Sequence, residues 1–194
     1  YTTVRPWLHE ALVAAKACGN YYIAGFAMRF HVWLAVARGE LHQAFALAQE
    51  AMAMATAQRE QAIVAKAFAH YALGEIHEEW NEPQAAEEHY AQALKIGEQC
   101  QISDIIMPAY IYQGLRLARQ GQRAALHQLI HKVRGLIASL NMPRVSADFT
   151  RYEVFLALEL EDLATVETWV AAQGLTPVTA PHTPARDQDG AILV

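Results

Sequence analysis

Trp80-Asn81-Glu82-Pro83 interrupts a long run of apolar-periodic residues, and three counterparts stand at even steps along the chain: Arg38-Gly39-Glu40-Leu41, Gln120-Gly121-Gln122-Arg123 and Leu160-Glu161-Asp162-Leu163. Gly39, Asn81, Gly121 and Glu161 are 42, 40 and 40 residues apart. Each interruption follows one Ala-rich helical segment and precedes another. A fixed period of this size with helix–turn–helix content predicts an all-α solenoid of antiparallel helix pairs, because no single pair can bury its apolar stripe without a neighbour. Gly39 is suited to the left-handed conformation that closes a helix, and Asn81 is the next most tolerant residue there. Glu161 leaves the last turn less well specified.

The rest of the chain fits around these four turns. A first helix over 6–18, ended by Gly19-Asn20, reads as the second helix of a truncated repeat, since Leu8-His9-Glu10-Ala11 resembles Leu41-His42-Gln43-Ala44. Four repeats follow near 20–58, 60–99, 104–140 and 144–173, so that 1–174 forms one helical-repeat domain. Pro83 sits in a first turn, where its missing N–H costs nothing. Ser103-Asp104 offers two good N-cap residues, with Pro108 close behind them. Asn141-Met142-Pro143 reads as a turn. Pro177, Pro181 and Pro184 make 175–194 a non-helical tail, extended or lying across a neighbouring surface.

Composition narrows the classes of function. Of 194 residues 54% are apolar and 18% charged, which provides a large core and argues against wholesale disorder. The formal net charge is −5 and there is no basic run, so direct nucleic-acid binding by this segment is not expected. No apolar run approaches the length of a membrane span. Cys18 and Cys100, far apart, read as two reduced core thiols of a cytoplasmic protein rather than a disulfide framework or a metal knuckle. Tyr1 is not a natural start, so the chain reads as a fragment.

Residues that suggest chemistry have plainer explanations. His127 and His131 share a helix face, but a metal needs a third ligand and usually a fourth, so no metal site is expected. His77-Glu78-Glu79 fails the same test. Glu78-Glu79 and Glu87-Glu88 are adjacent on helices and point about 100° apart, which suits a solvated face better than an acid–base pair. Ser103, Ser139 and Ser146 fall at helix ends, where capping accounts for them, and none lies in a nucleophile elbow. No cofactor and no catalytic residue is expected.

Seven residues before each turn stand Val32, Gly74, Gly114 and Val154, and five after the first two stand Ala44 and Ala86. Small residues at these places resemble the tetratricopeptide (TPR) pattern, with helices about a turn longer than usual. Within it, His77-Glu78-Glu79-Trp80-Asn81-Glu82-Pro83-Gln84-Ala85-Ala86-Glu87-Glu88-His89 is similar to the Trp-Asn turn region of the large ATP-dependent, LuxR-type, MalT-like transcription regulators. Residues 91–97, 110–121 and 156–175 continue the likeness, which spans most of 20–175. The resemblance implies a right-handed TPR-like superhelix serving as the sensor segment of such a regulator. An ATPase and a helix-turn-helix would lie elsewhere in the parent, since neither a Gly-x-x-x-x-Gly-Lys loop nor a basic recognition helix is present. It also implies a small-molecule effector or a regulatory protein or peptide as partner. A generic TPR scaffold for protein–protein interaction is the alternative.

In TPR-like stacks the first helix of each pair lines the concave groove. Counting from the small positions nominates Arg29, Trp33, Tyr71, Glu75, Ile111, Arg151 and Phe155 as effector- or partner-binding residues. Leu115, Phe26, Phe68, Glu78, Arg119 and Asp148 lie on the same stripe. Aromatic faces with guanidinium and carboxylate groups suit a sugar ring or a peptide. Trp33, Phe68 and Phe155 also read as inter-repeat core, and Trp80 as a wedge at its turn. Arg29→Ala or Arg151→Ala is expected to weaken binding with little effect on melting.

Overall fold

The structure is a computed structural model that describes residues 4–140 and 143–174, with side chains described for 6–139 and 149–174. The described residues form nine α-helices and no strand: α1 (Val4–Ala17), α2 (Tyr21–Val36), α3 (Leu41–Ala57), α4 (Ile63–Glu79), α5 (Pro83–Cys100), α6 (Ser103–Arg119), α7 (Arg123–Leu140), α8 (Pro143–Glu159) and α9 (Leu163–Ala172). Each of α2, α4, α6 and α8 packs on the helix that follows it, and α2, α4, α6 and α8 also pack on one another in series. That is a helical-repeat solenoid with an inner row (α2, α4, α6, α8) and an outer row (α3, α5, α7, α9). The tail over 175–194 and the turn at 141–142 lie outside the described residues.

The turns are built alike. Gly39, Asn81, Gly121 and Glu161 all take the left-handed conformation, at φ of 74°, 58°, 67° and 56°. After α2 the Gly39 N–H donates to Val36 O at 2.8 Å and the Glu40 N–H reaches back to Ala35 O at 2.9 Å. The same two bonds recur after α4, α6 and α8, as in Asp162 N–H to Ala157 O at 2.8 Å. This Schellman closure satisfies carbonyls that the helix end leaves open. Glu161 adopts it despite its Cβ, against a local cost of about 1 kcal/mol. Asn20 and Asp162 cap the helices that follow, their side chains accepting from Ile23 N–H and Thr165 N–H.

Three local expectations are corrected. The helix foreseen from residue 60 instead begins at Ile63, after a 3₁₀ turn over Arg59–Ala62 entered through Arg59 at φ 52°. Ser103 and Asp104 do not cap α6: Ile102 is its N-cap, without a side-chain bond, and Pro108 lies inside the helix rather than in its first turn. Cys18 and Cys100 are exposed, not core thiols. Both stand at helix ends.

Small residues set the spacing between helices. A Cβ on Gly25 would lie 2.7 Å from Ala65 Cα, so α2 and α4 meet almost backbone to backbone. A Cβ on Gly74 would lie 2.9 Å from the Tyr90 ring, and one on Gly114 would lie 3.1 Å from Leu156 Cδ1. Val32 is wholly buried with Ala35, Ala44 and Ala72. Trp80 seats against Phe45, with ring centroids 5.1 Å apart, and against His77 and His42. It thereby wedges the α2–α3 pair against the α4–α5 turn.

Candidate functional site: a two-lobed groove on the inner helices

Two adjoining cavities open on the inner row, and Pro108 and Ile111 of α6 line both. The first, of about 480 Å³, is walled by α2, α6 and α8: Phe26, Arg29 and Phe30 face Asp104, Met107 and Ile111, with Phe149, Arg151 and Tyr152 on the third side. The second, of about 510 Å³, is walled by α2, α4, α5 and α6, and holds Trp33, Tyr71, Glu75, Glu78, Glu79, Arg116 and Arg119. The first is the more apolar and the second the more polar. Both volumes fall in the range of small-molecule sites.

An ion pair forms the junction between the lobes. Arg29 Nη2 lies 3.5 Å from Glu75 Oε1, the two side chains being 17% and 20% exposed. Arg29 lines only the apolar lobe and Glu75 only the polar one. The guanidinium also sits over the Tyr71 ring, 4.5 Å from its centroid, and 5.8 Å from that of Phe30. Arg29 Nε and Glu75 Oε2 are buried without a hydrogen-bond partner. A buried polar atom left so costs about 1–3 kcal/mol, which calls for an explanation. Burial pushes the Glu75 carboxyl up from its ordinary range and outweighs the pull of Arg29. Burial likewise pushes the Tyr71 phenol up, with Glu75 adding to it.

Two further bonds brace the walls. The Tyr112 hydroxyl donates to Glu78 Oε1, tying α6 to α4 across the polar lobe. The Tyr22 hydroxyl donates to Asp104 Oδ2, tying α2 to α6 beside the apolar lobe. α2 and α6 do not pack directly on one another, so this bond bridges the groove by side chains alone. Burial and the Asp104 bond push the Tyr22 phenol up to about 12. Arg116 turns away to pair with Glu87.

The nominated residues fall into place unevenly. Arg29, Ile111 and Arg151 line the apolar lobe; Trp33, Tyr71, Glu75 and again Ile111 line the polar one. Phe155 lines neither and is exposed on α8. Phe68 is core, 1% exposed, against which Phe26 and Tyr22 set ring edges. Asp148 lies outside the described side chains. Tyr22, Phe30, Asp104, Met107 and Tyr152 were not nominated. Tyr22 and Phe30 continue the four-residue stripe through Phe26, and Asp104 the stripe of Pro108, Ile111 and Leu115, so the spacing carried that signal. Asp104 was hidden by its position at a helix start, where capping is the commoner role. His127 and His131 are exposed, and among the described residues no group of three or more His, Cys, Asp or Glu is placed to hold a metal.

Paired helices in series with a lined inner face define a helical-repeat solenoid of the TPR kind. The chain matches the family model of the MalT-like TPR region over residues 2–193, and it belongs to that family. No curated protein and no solved structure matches it. No described helix is long and apolar enough to cross a membrane.

Proposed function

We propose that the two-lobed groove binds an effector, a small molecule or a segment of a regulatory protein, and that the chain is the sensor of a LuxR-family, MalT-like transcriptional regulator. Binding would change the set of the inner helices and so the contacts made with the other domains of the parent, an ATPase and a helix-turn-helix. The work is that of a cytoplasmic, non-catalytic module: Arg29 is engaged with Glu75, Tyr112 with Glu78 and Tyr22 with Asp104, each across helices. The observation that carries this reading is the Arg29–Glu75 pair. It is a directional polar group set among aromatic rings where two cavities meet, with one donor and one acceptor unused. The exposed apolar side chains Phe155, Leu158 and Leu163 favour the second reading, a scaffold for protein partners without small-molecule sensing.

Thermal-shift screening against metabolites and against peptides separates the two. A sensor is stabilised by at least one small molecule, and Trp33→Ala or Arg151→Ala, both at exposed groove positions, removes most of that shift while leaving the unliganded melt within a degree or two. Arg29→Ala is unsuited to this role. It strips the buried Glu75 of its cation and is expected to cost about 1–3 kcal/mol by itself. Shifts from peptides alone would leave the scaffold reading standing. Shifts unaffected by either groove substitution would remove the groove as the site.

A further inference from the structure

The two lobes differ in charge balance: the apolar one has two guanidinium groups to one carboxylate, the polar one two guanidinium groups to three carboxylates. The apolar lobe's walls are aromatic and aliphatic, and its charged groups come from three helices: Arg29 from α2, Asp104 from α6 and Arg151 from α8. A purely anionic ligand would meet the Asp104 carboxylate there, and a purely cationic one would meet two guanidinium groups, each an unfavourable encounter in a partly desolvated cleft. A polyol would find too few polar partners for its hydroxyls along Phe26, Phe30, Met107 and Phe149, and an unpaired hydroxyl is costly to bury. A molecule with both charges at one end and an apolar body at the other leaves none of these groups mismatched.

The free valences agree. Glu75 engages the Arg29 guanidinium through Nη2 alone, at 3.5 Å, and Arg29 still lines the apolar lobe. Asp104 accepts the Tyr22 hydroxyl through Oδ2. That bond is with a neutral group and leaves the carboxylate its charge and its Oδ1. The neighbouring lobe sets three carboxylates, Glu75, Glu78 and Glu79, against Arg119 and an Arg116 already paired with Glu87, so it favours a carboxylate ligand less. This keeps such a ligand on the Arg29 side of the ion pair.

We propose that the apolar lobe takes a zwitterion with an apolar body, the chemistry of a free apolar α-amino acid. Its carboxylate lies toward Arg29 and Arg151, its ammonium toward Asp104, and its side chain among Phe26, Phe30 and Phe149. The proposal rests on the reading of the groove as an effector site and narrows the chemistry of one lobe. Cavity size is compatible: about 480 Å³ admits even the bulkiest of these side chains.

Titration calorimetry on the 194-residue chain tests it with L-leucine, L-phenylalanine and L-tryptophan, each beside an analogue lacking the ammonium and one lacking the carboxylate. For phenylalanine these are 3-phenylpropanoate and 2-phenylethylamine. At least one amino acid is expected to bind about tenfold or more tightly than both of its analogues. Asp104→Asn, whose amide oxygen still accepts the Tyr22 bond, is expected to lower that amino acid to the level of its carboxylate-only analogue. Arg151→Gln is expected to lower it toward the amine-only analogue. Circular dichroism confirms that both variants fold. Equal binding of an amino acid and its carboxylate-only analogue overturns the proposal, as does unchanged amino-acid binding by Asp104→Asn. If none of the three binds while another metabolite does so through Trp33 or Arg151, the zwitterion is overturned and the groove reading stands. If nothing in the metabolite and peptide panels binds, both fall.

Discussion

Where α2 and α3 meet α4, the buried contacts are mostly alanines: Ala35, Ala44, Ala48 and Ala72 surround Val32. Where α6 meets α7 and α8, the equivalent contacts are Tyr110, Val133, Ile137, Phe149 and Leu156. The α2–α4 seam of the front half brings backbones together, and the α6–α7–α8 seam of the back half holds them apart with larger side chains. α9 has no buried residue. An alanine interface has no side-chain ends to move, so any added atom must shift a whole helix. A leucine interface has methyl groups that rotate aside. The groove straddles the two. One wall of the apolar lobe belongs to the rigid front and two to the more compliant back, with the Tyr22–Asp104 bond joining them.

The same substitution at two glycines breaks or sharpens this contrast, with the largest effect at the front. Gly25→Ala places a Cβ 2.7 Å from Ala65 Cα, and α2 must separate from α4. A loss of about 2–3 kcal/mol in unfolding free energy is expected, read by urea melts. Gly114→Ala meets the tip of Leu156 at 3.1 Å, which can yield. Alanine also gains about 1 kcal/mol in helix propensity over glycine. The net change there is expected to lie within about 1 kcal/mol of zero. Equal losses at both sites would refute the idea that the two halves differ in compliance.

Acid should find the front half first. His70 on α4 and His89 on α5 set their Nδ1 atoms 3.0 Å apart, an arrangement that needs one N–H and one lone pair. Burial, then His89, then Lys66 pull the His70 imidazole down from 6.5 to about 4. Burial, then His77, pull His89 down as well, with Glu88 opposing. A folded-state pKa below the unfolded one means that the stabilisation is complete above about pH 6.5 and is lost as pH falls toward 4. Solvent reaches both rings, so the loss by pH 4.5 is placed at about 1–2 kcal/mol rather than the full shift. His70→Gln should flatten the decline between pH 7 and 4.5 in denaturant melts. An unchanged decline would assign the acid sensitivity elsewhere.

The periodic turns made the architecture readable, because each of the four interruptions has one residue that can go left-handed and the same carbonyls to close. The inner stripe was readable to the same degree: counting from Val32, Gly74 and Gly114 reached Arg29, Tyr71, Glu75 and Ile111. Phe155 lies outside both lobes, although Arg151, counted from the same Val154, lines the apolar one; among the described residues no helix pair follows α9 to wall a groove beyond it. What the sequence hid were pairings between helices two repeats apart. Tyr22 and Asp104 are 82 residues apart, and nothing local says that a groove narrow enough for a phenol to cross brings them together. Gly25 was legible in retrospect. A glycine inside an apolar helix, far from any turn, signals a close approach of another backbone.

The smallest effect expected concerns the turns themselves, where the first and the last differ in whether the left-handed residue carries a Cβ. Gly39 closes α2 with no Cβ to strain, whereas Glu161 closes α8 at φ 56° with one. The bonds around the two are alike: Glu40 N–H to Ala35 O at 2.9 Å and Asp162 N–H to Ala157 O at 2.8 Å. Geometry is therefore held constant while conformational cost is not. Glu161→Gly should raise stability by about 0.5–1 kcal/mol, and Gly39→Ala should lower it by a similar amount. Glu161 is exposed, so the change removes no packing, and Asp162 keeps its cap on Thr165. The gain should appear as slower amide exchange in α8 and α9 ahead of any change in α2–α5, because the turn belongs to the less buried end. A uniform gain along the whole chain would instead mean that the halves unfold as one unit, and that the contrast between them is one of packing but not of cooperativity.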